Sequence, residues 1–245
     1  MAPGKAALRA KALRIHQRLL KHYGEPVWRN PLPPVDELVS TILSQNTNDI
    51  NRDRAFEALR AGFPSWEAVR DAPTRQVIDA IRPAGLANQK GPRIQAALQA
   101  ITRERGSLDL SFLAGLPPGE ARQWLTRFNG VGPKTAAIVL LFSLGQPAFP
   151  VDTHVYRVTG RLGLRPEKMT VEQAHPYLED LLPPETYYAA HLNLIRHGRE
   201  VCHAQRPVCA ACILRQQCAY YRRVFLPANA RAAGRSLPAI KRARS

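Results

Sequence analysis

Long apolar runs are missing: the longest, Ala136 to Phe142, covers seven of the 245 residues, far short of the ~20 a membrane-spanning helix needs. The start of the chain offers no apolar block ahead of a small-residue cleavage site, because Lys5, Arg9, Lys11, Arg14 and Arg18 interrupt the only candidate. A protein without a membrane partner that stays in a reducing cytoplasm is therefore expected, and it is expected to be a monomer. Cysteine is scarce, four residues all between 202 and 218, which excludes a disulfide framework for a chain of this size. No fixed-period repeat marks a solenoid. Acidic residues are absent from both ends: residues 1–22 hold six basic side chains and residues 201–245 nine, with no Asp or Glu in either stretch. Since the whole chain carries +16, the middle is nearly neutral and the ends make an electrostatic footprint for a polyanion, with nucleic acid ahead of a merely solubilising surface.

What is present is helix after helix. At 45% hydrophobic content the chain has enough apolar mass for one large or two smaller cores, which sets aside a disordered or fibrous class. Leu8, Ala12, Ile15 and Leu19 form one stripe at helical spacing, with Lys11, Arg14, Arg18 and Lys21 on another face. Further helical stretches are predicted at 35–45, 49–60, 65–71, 74–81, 90–103, 119–128, 133–144, 153–162, 171–182 and 185–199, joined by short connections with Gly, Pro or Asn. The fold class is all-α. From Ala228 onward, Ala, Arg, Ser and Pro replace large apolar residues, and residues 227–245 are expected to form a basic, mobile tail.

Cys202, Cys209, Cys212 and Cys218 are separated by six, two and five residues. Four thiolates from one short segment can wrap a tetrahedral zinc or a four-iron cubane, and both prefer soft sulfur donors. Spacing alone does not choose. One CxxC with looser outer ligands, rather than two close pairs, favours the cluster.

A second constellation runs Phe128-Asn129-Gly130-Val131-Gly132-Pro133-Lys134-Thr135-Ala136. Two glycines permit a tight turn with positive backbone dihedrals, and Pro133 suits the first turn of a following helix. Glycine amides at a helix start can hold phosphate. The pattern between two amphipathic helices resembles the helix-hairpin-helix used on DNA backbones. Lys134 could be one more phosphate contact or a nucleophile that forms a Schiff base. At a reference pKa of about 10.4 only about one such amine in a thousand is free near neutral pH; the second role therefore requires a site that disfavours the ammonium, as a helix N-terminus and burial do. Eighteen residues on lies Pro150-Val151-Asp152-Thr153-His154. Asp152 reads equally as the N-cap of the next helix and as a catalytic carboxylate, and the two roles are compatible. Twelve helical residues rise about 18 Å, and the eight that follow can span up to about 27 Å, so Lys134 and Asp152 can face one cleft.

The GVGPKTA hairpin, the VDTH segment and the C-x6-C-x2-C-x5-C ending, in this order from about Pro34 to Cys218, resemble the endonuclease III family of the helix-hairpin-helix DNA glycosylases. The resemblance implies a two-lobed fold. A six-helix barrel lobe over 26–146 contains the hairpin; 1–25 and 147–226 form a lobe holding a [4Fe-4S] cluster on the four cysteines. It implies a bifunctional glycosylase and lyase of base excision repair, acting at the nucleoid on duplex DNA with damaged bases or abasic sites. An oxidised pyrimidine would be turned out of the helix, Lys134 would attack the sugar C1′ with Asp152 assisting, and the imine would permit β-elimination. Gly130, Val131, Gly132 and Thr135 would hold the backbone. Gln45 would fill the gap left by the extruded nucleotide, Leu86 would wedge between bases of the opposite strand, and Lys90 and Arg206 would bind phosphates. His154 is expected to be a packed histidine and His203 a solvated one.

Three departures surround the expected lesion pocket. Phe128-Asn129 stands where the family commonly has Leu-Pro, Asn48 where some relatives have an acid, and Ala87 where some have an aromatic. An adenine- or thymine-specific mismatch glycosylase is the nearest alternative, disfavoured by Lys134 and by the short segment after Cys218. A non-catalytic DNA-binding protein with structural zinc is the alternative from another class.

Overall fold

The computed structural model describes residues 4–27 and 31–228; the greater part of the expected basic tail, 229–245, lies outside them. The described residues contain helices and turns and no strand, and no helix among them is long and apolar enough to cross a membrane. The chain divides into two compact units, one of residues 27–150 and one of residues 1–26 with 151–245. The division falls after Pro150 rather than after residue 146. Ala148 belongs to the core of the first unit, and Gln146 is buried with its Nε2 donating to the carbonyls of Leu113 (2.7 Å), Ala114 (3.2 Å) and Leu116 (2.9 Å). These contacts carry the chain past 146 before it leaves.

The first unit holds α2 (Pro34–Leu43), α3 (Asp49–Gly62), α4 (Trp66–Asp71), α5 (Thr74–Ala80), α6 (Ala87–Arg105), α7 (Pro118–Thr126) and α8 (Pro133–Ile138). α8 continues as a π turn over Val139–Ser143, so the expected helix 133–144 forms with a widened last segment. α2 is the central element: Leu38, Val39, Ile42 and Leu43 are almost fully buried against α3, α6 and α8. Each such side chain contributes about 1.5–3 kcal/mol on leaving water. Caps fix where helices begin. Asn48 accepts from the Asn51 amide at the start of α3 (2.9 Å), and Ser65 from the Ala68 amide at α4 (3.2 Å). The residue that replaces a possible acid at 48 is thus a helix cap. Phe128 is packed in the core, edge-on to Trp124 at 4.7 Å between ring centres, and Trp124 is edge-on to Phe112 at 5.0 Å. This aromatic ladder accommodates the larger side chain in place of the family's usual leucine.

The second unit is built from α1 (Lys5–Tyr23), α9 (Thr153–Leu162), α10 (Val171–Leu181) and α11 (Tyr187–Glu200), followed by the cysteine segment. Ala12, Ile15 and Leu19 turn inward from α1, which packs on α10 and α11. The opposite face is not wholly free: Lys11 donates to the Leu162 carbonyl at the end of α9, and Arg18 to the Ile213 carbonyl at 3.0 Å. Arg14 and Lys21 remain exposed.

Candidate nucleic-acid interface and active site

The hairpin turn closes when the Val131 amide donates to the Phe128 carbonyl (3.0 Å). Gly130 has φ +86°, whereas Gly132 has φ −86° and is the N-cap of α8. The expectation of two positive dihedrals is corrected: one glycine serves the turn, and at the other an added Cβ would meet nothing within 4 Å. Arg93 of α6 runs beneath Gly130, where a Cβ would lie 3.1 Å from its Cδ. Val131 and Thr135 are buried, so any part they take in holding a DNA backbone falls to their main chain. Lys134 is half-buried in the first turn of α8. Pro133 supplies helical φ where an amide would have had no helical partner.

Gln45 follows α2 and is half-buried, and its Nε2 donates to the Gly130 carbonyl at 3.1 Å. The hairpin therefore holds the side chain expected to enter the duplex. Leu86 is 46% exposed, although it is the residue immediately before α6. Among the described residues, Asn46, Leu86 and Arg206 are the non-glycine positions with positive φ, at +52°, +51° and +49°. Such backbone costs of order 1–3 kcal/mol and collects at functional sites. Here it marks two expected DNA contacts and the immediate neighbour of a third. Arg206 is exposed.

Lys90 is a correction. It is 1% exposed, and its Nζ donates to the carbonyls of Leu43 (2.7 Å) and Ala84 (2.8 Å). An ammonium enclosed in this way reaches no phosphate.

Sequence reasoning missed Glu37. It lies on α2 with its carboxylate accepting from the Thr41 hydroxyl at 3.3 Å. Burial raises its pKa, against opposing pulls from the Thr41 bond and the charges of Arg52 and Lys134. Since the folded state disfavours the carboxylate, Glu37 withdraws stability as pH rises through the unfolded value of about 4.3. Glu37→Gln should therefore melt like the parent near pH 4 and above it at pH 7, by roughly 2–4 °C for each kcal/mol recovered. A lower melting temperature at pH 7 would mean that Arg52 and Lys134 outweigh burial.

In the other unit, Asp152 caps α9, its Oδ1 accepting from the Val155 amide at 2.7 Å. His154 packs against Gly198 and meets Arg157 at 3.0 Å; burial lowers its pKa.

The four cysteines form no disulfide and line one recess with Arg161, His197 and Tyr220. Burial raises the pKa of Cys209 and Cys218, and that of Cys212 to about 11. Donors point at the sulfurs: Arg161 at Cys202, the Leu214 amide at Cys212 and the Tyr221 amide at Cys218, each at 3.4 Å. Arg161, which sequence reasoning missed, also donates to the carbonyls of His203 (2.6 Å) and Ala204 (2.8 Å). Among the described residues no three His, Cys, Asp or Glu side chains converge as they would on a single metal ion.

Residues 39–184 match the family described as the HhH-GPD superfamily base excision DNA repair protein. A protein of Arabidopsis thaliana named as a DNA glycosylase is 39% identical over 67% of this chain and 56% of its own length. The chain thus spans little more than half of that relative. The endonuclease III of Sulfolobus acidocaldarius is 34% identical over 75% of this chain and 81% of that one. A trapped covalent endonuclease III–DNA intermediate superposes with a TM-score of 0.75 at 26% identity, covering 90% of this chain and 98% of the other. The chain belongs to the HhH-GPD superfamily of base excision DNA repair proteins and is endonuclease III-like within it.

Proposed function

We propose that the protein is a bifunctional DNA glycosylase and AP lyase that removes oxidised pyrimidines from duplex DNA. The observation that carries this reading is Lys134 in the first turn of α8, directly behind a glycine turn whose carbonyl anchors Gln45. The Lys134 amine attacks C1′ of the damaged nucleotide and the bond from C1′ to the base breaks. The base leaves with a proton, and a Schiff base joins Nζ to the opened sugar. Loss of a C2′ proton then expels the 3′ phosphate, and water releases the amine. Asp152 stabilises the positive charge that develops on the sugar. The relative trapped covalently on DNA supports this chemistry by analogy.

Cys202, Cys209, Cys212 and Cys218 would hold a [4Fe-4S] cluster. The donors aimed at three of the sulfurs suit bound, charged thiolates, and four soft sulfur donors from one short segment are the ligand set such a cluster takes. When bound it supplies a structural anchor. The protein's own contribution is a frame of hydrogen bonds from Arg161 and two amides that neutralises sulfur charge. The proposal extends to a monomer at the nucleoid, in a compartment that keeps thiols reduced.

Borohydride added during turnover on a thymine glycol duplex should convert the imine into a permanent protein–DNA adduct; no adduct with any lesion or abasic strand would leave only a DNA-binding protein. Binding itself should fall about 10^3-fold between 50 and 200 mM salt if about six phosphates are neutralised. A flat response would remove the electrostatic footprint from the account.

A further inference from the structure

We propose that Lys90 is a positioning residue whose buried ammonium sets the distance between the two turns that probe the duplex, one carrying Gln45 and the other Leu86. The proposal rests on the DNA glycosylase reading above. Its Nζ joins the last residue of α2, Leu43, to Ala84, two residues before Leu86. The Lys90 amide also donates to the Leu86 carbonyl at 2.9 Å. Both turns carry a residue in the left-handed region, Asn46 in one and Leu86 in the other, so each is held away from its relaxed backbone by its surroundings. The helix from which Lys90 reaches is closely packed beside it: a Cβ on the adjacent Gly91 would lie 2.9 Å from Ile78 Cγ1, so α6 and α5 meet there with no room for a side chain.

The arrangement is costly as a means of stability alone. Burial lowers the pKa of Lys90 to about 8, with no carboxylate offsetting it, and apolar side chains fill such a space at less expense. An ammonium has what they lack, several N–H donors that can satisfy carbonyls from two separate turns at once. Without it two buried carbonyls lose their partner, and the two turns are no longer tied to one point.

The test is Lys90→Met, compared on a thymine glycol duplex and on a single-stranded oligonucleotide with an abasic site, which needs neither extrusion nor a wedge. Duplex kcat/KM should fall about 100-fold, the effect of misplacing binding groups by about 1 Å, while borohydride trapping on the single strand changes less than about threefold. On a Leu86→Ala background Lys90→Met should cost less than on the parent, because part of its effect acts through the Leu86 turn. Equal losses on both substrates, full additivity with Leu86→Ala, or an unchanged duplex rate would each overturn the proposal. If Lys90→Met does not fold, Lys90→Gln, one bond shorter and with two N–H donors, is judged by the same duplex-to-single-strand ratio. A parent protein that traps neither substrate would sink the glycosylase reading itself.

Discussion

Lys134→Ala should abolish strand cutting and the borohydride adduct, with a loss of roughly 10^4-fold or more, as when a covalent nucleophile is removed. Affinity for lesion-bearing duplex should change far less. The contacts that hold DNA in this reading lie elsewhere: the turn at Gly130, Gln45 bound to its carbonyl at 3.1 Å, exposed Leu86 and exposed Arg206. The fold should tolerate the change. Alanine is the better helix former, and a cation in the first turn of a helix is disfavoured by the backbone dipole, so stability should shift by no more than about 1 kcal/mol. Gel separation of the reduced adduct and a melting curve on the same preparation check both halves. An adduct of undiminished yield would assign the covalent step to another amine. A lost adduct with lost binding would make Lys134 a phosphate contact.

The all-helical architecture was legible in the sequence because its cues are local. Apolar spacing in α1, the cap residue Asp152 and Pro133 at a helix start act within one or two turns, and each appears where it was expected. The candidate site was legible less evenly. A lysine in Asn88-Gln89-Lys90-Gly91 reads as a surface cation, since nothing local shows that two carbonyls from 6 and 47 residues away meet there. Thr135 stands among the residues expected to hold the DNA backbone, and nothing local shows that its side chain is 3% exposed because α8 packs on α2. Gly132 and Gly130 look alike in the sequence; their backbone signs differ because only Gly130 forms the reversal. Arg161 gave no signal at all, because its partners Cys202, His203 and Ala204 lie more than 40 residues away. Glu37 was hidden for a related reason: an acid in the first turn of a helix is ordinary, and only tertiary packing buries it near Lys134 and Arg52.

Asp152 presents the opposite case, a residue whose structural role is plain and whose chemical role must be separated from it. As N-cap of α9 it accepts from Val155 through Oδ1 alone, and asparagine caps a helix about as well as aspartate. Asp152→Asn should therefore keep the fold within about 1 kcal/mol, the difference being mainly the lost interaction of charge with the helix dipole. Asp152→Ala should cost about 1 kcal/mol more. If the carboxylate acts only as a cap, activity will follow this order, with asparagine near the parent. If it stabilises charge on the sugar or takes a proton, both variants should lose about 10^2- to 10^4-fold, whatever their stability. The loss should also depend on substrate. Charge develops on the sugar as the base departs, so release of a damaged base should suffer more than cleavage at a site already lacking one. An Asp152→Asn protein that releases thymine glycol at the parent rate would reduce Asp152 to its cap and leave Lys134 without a carboxylate partner in the proposed mechanism.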